Sequence, residues 1–264
     1  MPTDPAQTHA GPQWKHARPL VACKFDPTGK FIFTGAEDNF VTRWDVSSGA
    51  ATQLAGHDSW VRGLAVSADG QTLFSGGYDG RIIWWPAAAE KPEPARKIDA
   101  HQGWVRAIAL SPNGQQLASC GNDNLIKVWN VADGALIAEL SGHTSHVYNV
   151  VYHPDGNSLA SCDLKGNVKQ WSLAPNNTAE KKATREYTAP ALHKYDDTFR
   201  ADIGGARSIA FSRDGKQLAV SGITNVSNAF AGIGNPAIVL LNMEDGKPIV
   251  QYGSKEKVQA VMWG

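Results

Sequence analysis

The strongest constraint on this chain is a period. Four tryptophans, Trp44, Trp85, Trp129 and Trp171, follow one another at intervals of 41, 44 and 42 residues. Four histidines, His16, His57, His101 and His143, keep the same three intervals. A hydroxyl stands 18 residues after each histidine, at Thr34, Ser75, Ser119 and Ser161. In the first three units an aspartate follows four residues later, at Asp38, Asp79 and Asp123, and the tryptophan comes six residues after that. Repetition at this spacing marks units that bury their apolar surface only by stacking on one another.

Between these markers the sequence reads as short strands. Val61-Arg62-Gly63-Leu64-Ala65-Val66 is followed by the turn Ser67-Ala68-Asp69-Gly70, where glycine supplies the positive φ of a tight hairpin. Ser111-Pro112-Asn113-Gly114, His153-Pro154-Asp155-Gly156 and Ser212-Arg213-Asp214-Gly215 repeat that turn. Gln116–Cys120, Leu125–Asn130 and Leu136–Leu140 supply further strands, and no window carries the 3.6-residue apolar period of a helix. Each unit is therefore expected to be a four-stranded sheet with two apolar faces, and radial stacking covers both.

Gly56-His57, Gly142-His143 and Trp44-Asp45, with the near match Trp129-Asn130 and the softened Ala100-His101, resemble the signature of the WD-repeat (WD-40 type) β-propeller family. The resemblance runs over roughly residues 14 to 264 and implies an all-β propeller of four-stranded blades. It also implies an interaction platform without catalysis of its own. The expected organisation is an N-terminal tail, 1–13, then units at about 16–56, 57–100, 101–142, 143–201 and 202–256, with a partial unit at 257–264. In the family the segment before the first repeat, here Gln13-Trp14-Lys15, supplies the outer strand of the last blade. Lys257–Trp263 reads as the first strand of a sixth blade. Two closures stay open: a truncated seven-bladed ring that lacks about two blades, or a tight five-bladed ring.

The period breaks in three places. The fourth unit has Lys165 where aspartate is expected, and Asp163 lies two positions early, so this blade is expected to be held less tightly. A polar stretch from Ala174 to Asp202 reads largely as a surface excursion. The fifth unit places Asp202, Val220 and Thr224 at the histidine, hydroxyl and aspartate positions. Residues Asn225 to Asn235 add an insertion that is a candidate functional loop.

Composition narrows the functional classes. Formal net charge is zero and both signs are interspersed, which disfavours broad capture of nucleic acid or acidic lipid but leaves room for a local basic patch. No apolar run reaches the roughly 18 residues of a membrane span, and Met1–Gln7 does not read as a signal peptide. Cys23, Cys120 and Cys162 have no metal-ligand spacing and fit buried thiols of a reducing, cytoplasmic compartment.

His57, Ser75 and Asp79 offer the parts of a Ser-His-Asp triad. The same parts recur at His101, Ser119 and Asp123, and with threonine at His16, Thr34 and Asp38, and parallel triads have no use in one enzyme. The set is read instead as a structural network of tryptophan, hydroxyl, histidine and aspartate in each blade, with His143, Ser161 and Trp171 in the fourth. The histidines are too far apart in sequence for a metal pair, and His143 and His146 lie in a loop. Gly232-Ile233-Gly234-Asn235-Pro236-Ala237 matches a loose dinucleotide pattern, but Pro236 and a strand-like run follow it where a helix is required. Asn176-Asn177-Thr178 and Asn225-Val226-Ser227 are glycosylation sequons by letter only. No catalytic residue, cofactor or metal ligand is assigned.

One set points to binding. Residues just after each histidine belong at the handover to the inner strand, on one face near the central channel: Trp60 and Arg62, Trp104 and Arg106, His146 and Tyr148. Glu37, Tyr78 and Asn122, each before a turn aspartate, emerge beside them. Aromatics and arginine dominate binding hot spots because they combine large contact area with fixed hydrogen-bond geometry. The expected function is a non-catalytic scaffold that binds a protein or peptide through this top face. The alternative is a subunit of a larger assembly that docks through an open blade edge or the 225–235 loop.

Overall fold

The structure is a computed structural model that describes residues 11–173, 182–198, 200–228, 233–253 and 258–259. Twenty-three strands follow in chain order. β1 (Leu20–Phe25), β2 (Phe31–Ala36), β3 (Phe40–Asp45) and β4 (Ala51–Ala55) form the first antiparallel sheet. β5 (Val61–Val66), β6 (Thr72–Gly77), β7 (Arg81–Pro86) and β8 (Arg96–Asp99) form the second. The third holds β9 (Val105–Leu110), β10 (Gln116–Gly121), β11 (Ile126–Asn130) and β12 (Leu136–Leu140). The fourth holds β13 (Val147–Tyr152), β14 (Ser158–Asp163), β15 (Asn167–Ser172) and β16 (Arg185–Thr188). A hairpin of β17 (His193–Asp196) and β18 (Ala201–Gly204) precedes the fifth sheet, β19 (Ala206–Phe211), β20 (Gln217–Asn228), β21 (Ile233–Asn242) and β22 (Pro248–Gly253). β23 (Val258–Gln259) pairs with β21.

Each sheet is a meander whose hairpin turns follow from sequence. After β5, Ser67 Oγ donates to Asp69 Oδ1 at 2.5 Å while Gly70 takes φ +70°. The same device recurs after β9 and β19, where Ser111 bonds Asn113 and Ser212 bonds Asp214.

Blade stacking follows from the two-residue period of a strand. On β6, Leu73 enters the core shared with the first sheet and Phe74 enters the core shared with the third. On β10, Leu117 and Ala118 divide between the second and fourth sheets, and on β14, Leu159 and Ala160 divide between the third and fifth. Four apolar cores thus lie between successive sheets. Polar clamps add to them: Arg43 Nη1 donates to the carbonyls of Ala87 and Ala89 at 2.9 and 2.7 Å, and Trp84 Nε1 to that of Val131 at 3.0 Å. Between the fourth and fifth sheets, Arg185 Nη1 donates to the Met243 carbonyl at 2.7 Å.

The inner strands pack in order, β1 on β5, β5 on β9, β9 on β13 and β13 on β19. Among the described residues no apolar core joins the fifth sheet to the first. Leu20, Val21 and Phe25 of β1 are exposed, as are Ile238, Ile249 and Tyr252 of the fifth sheet.

Several expectations need correction. Residues 13–15 form no strand; Trp14 stacks on Trp44 of the first sheet, ring centroids 6.0 Å apart. The stretch 174–202 is not merely a surface excursion. Its described part supplies β16, the outer strand of the fourth blade, and buries Tyr187, Ala189 and Leu192 against the fifth. The 225–235 insertion is largely an extension of β20 and β21, with Thr224 opposite Asn235 and Asn228 opposite Ile233. The segment read as the first strand of a sixth blade lies outside the described residues except for Val258–Gln259, which pairs with the start of β21. Cys23 is exposed, whereas Cys120 and Cys162 are buried. Among the described residues no helix is long and apolar enough to cross a membrane.

Candidate functional site

The four-residue networks come first because they fix the geometry around them. In the second blade Trp85 Nε1 donates to Ser75 Oγ at 2.8 Å, Ser75 lies 2.8 Å from His57 Nε2, and His57 Nδ1 lies 3.0 Å from Asp79 Oδ2. A carboxylate only accepts, so His57 donates to Asp79 through Nδ1. The third blade repeats this through Trp129, Ser119, His101 and Asp123. Ser75, Ser119 and Ser161 are fully buried, each capped by an indole N–H, so none presents a hydroxyl to a substrate.

The fourth blade departs from its expectation. Asp163 reaches His143 Nδ1 at 2.8 Å, both side chains are wholly buried, and Ser161 joins His143 to Trp171 as in the other blades. Asp163 stands where the second and third blades have Gly77 and Gly121, 20 residues after the histidine. A Cβ on Gly77 would lie 2.5 Å from both Asp79 Oδ1 and His57 Nδ1. In the second and third blades the carboxylate two residues later therefore requires glycine here, whereas the first blade, where His16 meets Asp38 through Nε2 instead, has Ala36; a carboxylate placed here makes the later one redundant. Asp163 also accepts from the amides of Lys165 and Asn167 and from the Asn167 side chain. Freed Lys165 pairs with Asp202 at 3.5 Å, and Asp202 accepts from His193 at 2.8 Å.

Burial pushes the Asp79, Asp123 and Asp163 carboxyls up. The hydrogen bond and charge of each one's histidine, with surrounding amide donors, outweigh that and hold all three below the usual carboxylate range. The first blade is partial: Trp44 donates to Thr34 at 2.9 Å, while His16 turns its Nε2 toward Asp38 at 3.3 Å and its Nδ1 to the Arg18 carbonyl.

Beside these networks the residues singled out for binding come together. Tyr78 stacks flat on Trp104, centroids 4.2 Å apart and planes within 2°, and Trp60 stacks on the other side of Tyr78 at 5.8 Å. Arg106 lies 4.6 Å from the Trp104 and Tyr148 centroids and donates through Nε to Asn122 Oδ1 at 2.6 Å. Arg62 and Arg106 both donate to the Tyr78 hydroxyl at 3.3 Å. His146 Nδ1 donates to the Asn122 carbonyl at 2.8 Å. Trp60, Arg62, Tyr78, Trp104, Asn122 and His146 are half-buried, while Arg106 and Tyr148 are buried. Glu37 lies apart from this cluster and donates its amide to the Pro19 carbonyl.

Arg207 was missed by the sequence reading. Its guanidinium carbon lies 4.0 Å from the Tyr148 centroid. The signal was present, because Arg207 follows Asp202 by the same five residues that separate Arg62 from His57, Arg106 from His101 and Tyr148 from His143. The lost histidine concealed it. Beneath the cluster a cavity of about 740 Å³ is lined by all five inner strands.

The profile described as "WD domain, G-beta repeat" matches residues 13–45, 50–86, 92–130 and 134–172, more than half of the chain. Among curated proteins the chain is similar to a nuclear distribution protein PAC1 of Arthroderma benhamiae, 33% identical over 81 residues, or 29% of this chain and 18% of the relative. A PAC1 of Mycosarcoma maydis is 48% identical over 48 residues, 18% of this chain and 11% of the relative. The nuclear distribution protein nudF of Emericella nidulans is 33% identical over 81 residues, with the same coverage as the first. The chain thus spans less than a fifth of the length of these relatives.

Proposed function

Because this chain belongs to the WD40 repeat family, we propose that it is a non-catalytic scaffold that binds a protein or peptide through the face bearing Trp60, Arg62, Tyr78, Trp104, Arg106, Asn122, His146 and Tyr148. The observation that carries the reading is the Trp60–Tyr78–Trp104 stack, three half-buried rings left open at one end of the channel beside two arginines. Large rigid rings with adjacent guanidiniums give contact area at little entropic cost. The histidine, hydroxyl and aspartate groups are all engaged in holding blades, which supports a binding role over a catalytic one. Free thiols at Cys23, Cys120 and Cys162 fit a cytoplasmic setting. The likeness to nuclear distribution proteins supports the scaffold class and selects no particular process.

The test is affinity capture from native lysate with the wild-type chain and with Trp60→Ala/Arg62→Glu. Arg106 is kept because it is 1% exposed and a glutamate there would bury an unpaired carboxylate. Partners held by the wild type and lost from the folded double variant support the reading; identical captures sink it. A second reading moves the contact to the uncovered sides of the first and fifth sheets, favoured by exposed Leu20 and Phe25 and by Ile249 and Tyr252. It expects self-association that rises with concentration in light scattering and is unaffected by the double variant.

A further inference from the structure

Every inner strand carries a β-bulge at the same place. In the pairing of β5 with β6, Val61 opposes Gly77 and Gly63 opposes Gly76, so Arg62 has no opposite residue. The register skips Val21 in the first blade, Arg106 in the third, Tyr148 in the fourth and Arg207 in the fifth in the same way. A bulge frees one residue from the ladder and re-aims its side chain, and bulges concentrate beside functional sites. Here five bulges place Val21, Arg62, Arg106, Tyr148 and Arg207 at one level of the channel wall.

Three of these five are arginines, and they gather on one ring. The guanidinium carbons of Arg207, Arg106 and Arg62 lie 4.0, 4.6 and 5.9 Å from the Tyr148 centroid. Among the described residues no carboxylate pairs with any of them; the ion pairs of this chain lie elsewhere. Their hydrogen-bond acceptors are neutral and shared: the Tyr78 hydroxyl takes a bond from two of them, and Asn122 takes one. Arg106 Nη2 and Arg207 Nε are buried with no acceptor at all. Burial lowers the Arg207 pKa; Tyr148, through its hydroxyl, works against that, and the neighbouring Arg62 and Arg106 charges add to the lowering.

Aromatic faces stabilise the cations but do not satisfy N–H donors, and an unpaired buried charge is costly. Neutral acceptors therefore leave this arrangement incomplete. A guanidinium fork matches the two oxygens of a carboxylate or phosphoryl group, and the pairing strengthens where water is excluded.

We propose that the bulge-level cluster of Arg62, Arg106 and Arg207 around Tyr148 is an oxyanion-binding site, which receives a carboxylate or phosphoryl group presented by the partner that the Trp60–Tyr78–Trp104 stack holds. The identification of the partner rests on the reading of this face as a binding surface; the anion site rests on the arginines alone. Net neutrality of the chain is no objection, since three charges are concentrated at one mouth of the channel while compensating carboxylates are spread through the blades.

The experiment titrates inorganic phosphate into the full chain by calorimetry at constant ionic strength, with chloride as the exchanged anion. Wild-type protein and Lys91→Gln, an exposed lysine in the β7–β8 connection, are expected to bind phosphate saturably. Arg207→Gln and Arg62→Gln, each verified as folded by circular dichroism, are expected to bind about tenfold or more weakly. Glutarate in a parallel titration distinguishes the source: preference for it assigns a carboxylate, and preference for phosphate assigns a phosphoryl group. Absence of saturation in the wild type, or equal affinity in wild type and both arginine variants, overturns the proposal. The two readings fail separately. Phosphate binding without any captured partner leaves the anion site and removes the scaffold. A partner lost with Trp60→Ala, but bound alongside arginine variants that leave both it and phosphate affinity unchanged, removes only the anion site.

Discussion

At the scale of single residues, the buried polar networks act as repeated structural joints. Ser75→Ala and Ser119→Ala each orphan an indole N–H and a histidine nitrogen, which costs about 1–3 kcal/mol. Denaturant unfolding should show similar losses for the two variants; a catalytic serine would instead abolish a turnover with one and not the other. Asp163→Ala should cost more, about 3 kcal/mol or above, because it leaves His143 and Asn167 without their buried acceptor. The depressed carboxyls Asp79, Asp123 and Asp163 also set a pH dependence. A carboxyl with a folded pKa below its unfolded value contributes stability that is fully present above the unfolded value, about 3.9, and is lost as pH falls through the folded one. Unfolding free energy measured against pH should therefore be flat in these groups down to about pH 5 and then decline on acidification.

At the scale of elements, the clamp from Arg43 to the Ala87 and Ala89 carbonyls fixes the first blade on the second. Arg43→Ala removes charge-assisted bonds of about 1.5–3 kcal/mol each, and amide exchange should accelerate in β3 and β4 more than in β11. Most strands were legible because glycine turns and the two-residue period punctuate every blade. Where the punctuation changed, reading became harder. β16 lies beyond a polar stretch, and its pairing with β15, with Tyr187 buried against the fifth sheet, makes it the blade's outer strand. The insertion in the fifth unit reads as a loop because it adds residues to an otherwise regular blade; long-range pairing of β20 with β21 overrides that reading. The reach of Asp163 is not readable from sequence distance, because the position is decided by the space beside the histidine, which glycine leaves free in the second and third blades.

At the scale of the whole molecule, each blade contacts its neighbours and little else, so stability is distributed along the array rather than shared equally. The second, third and fourth blades have full networks and a core on both sides. Among the described residues the fifth has neither the network nor an apolar core joining it to the first sheet. Hydrogen exchange should consequently be slowest in β6, β10 and β14 and fastest in β17, β18 and β22, and a uniform global rate would contradict this picture. The top-face cluster was half legible: offsets from the histidines placed Arg62, Arg106 and Tyr148, while Arg207 escaped because its unit has lost the histidine that serves as the counting mark. The bulges were invisible, since a skipped residue leaves no trace in composition or period. They have an evolutionary consequence. Side chains in the ladders and joints are bound by their neighbours' requirements, but one letter per repeat is exempt from pairing and can be respelled without rewriting the frame. Val21, Arg62, Arg106, Tyr148 and Arg207 form such a word, and descendants of this chain can acquire new recognition by altering its spelling while inheriting the same architecture.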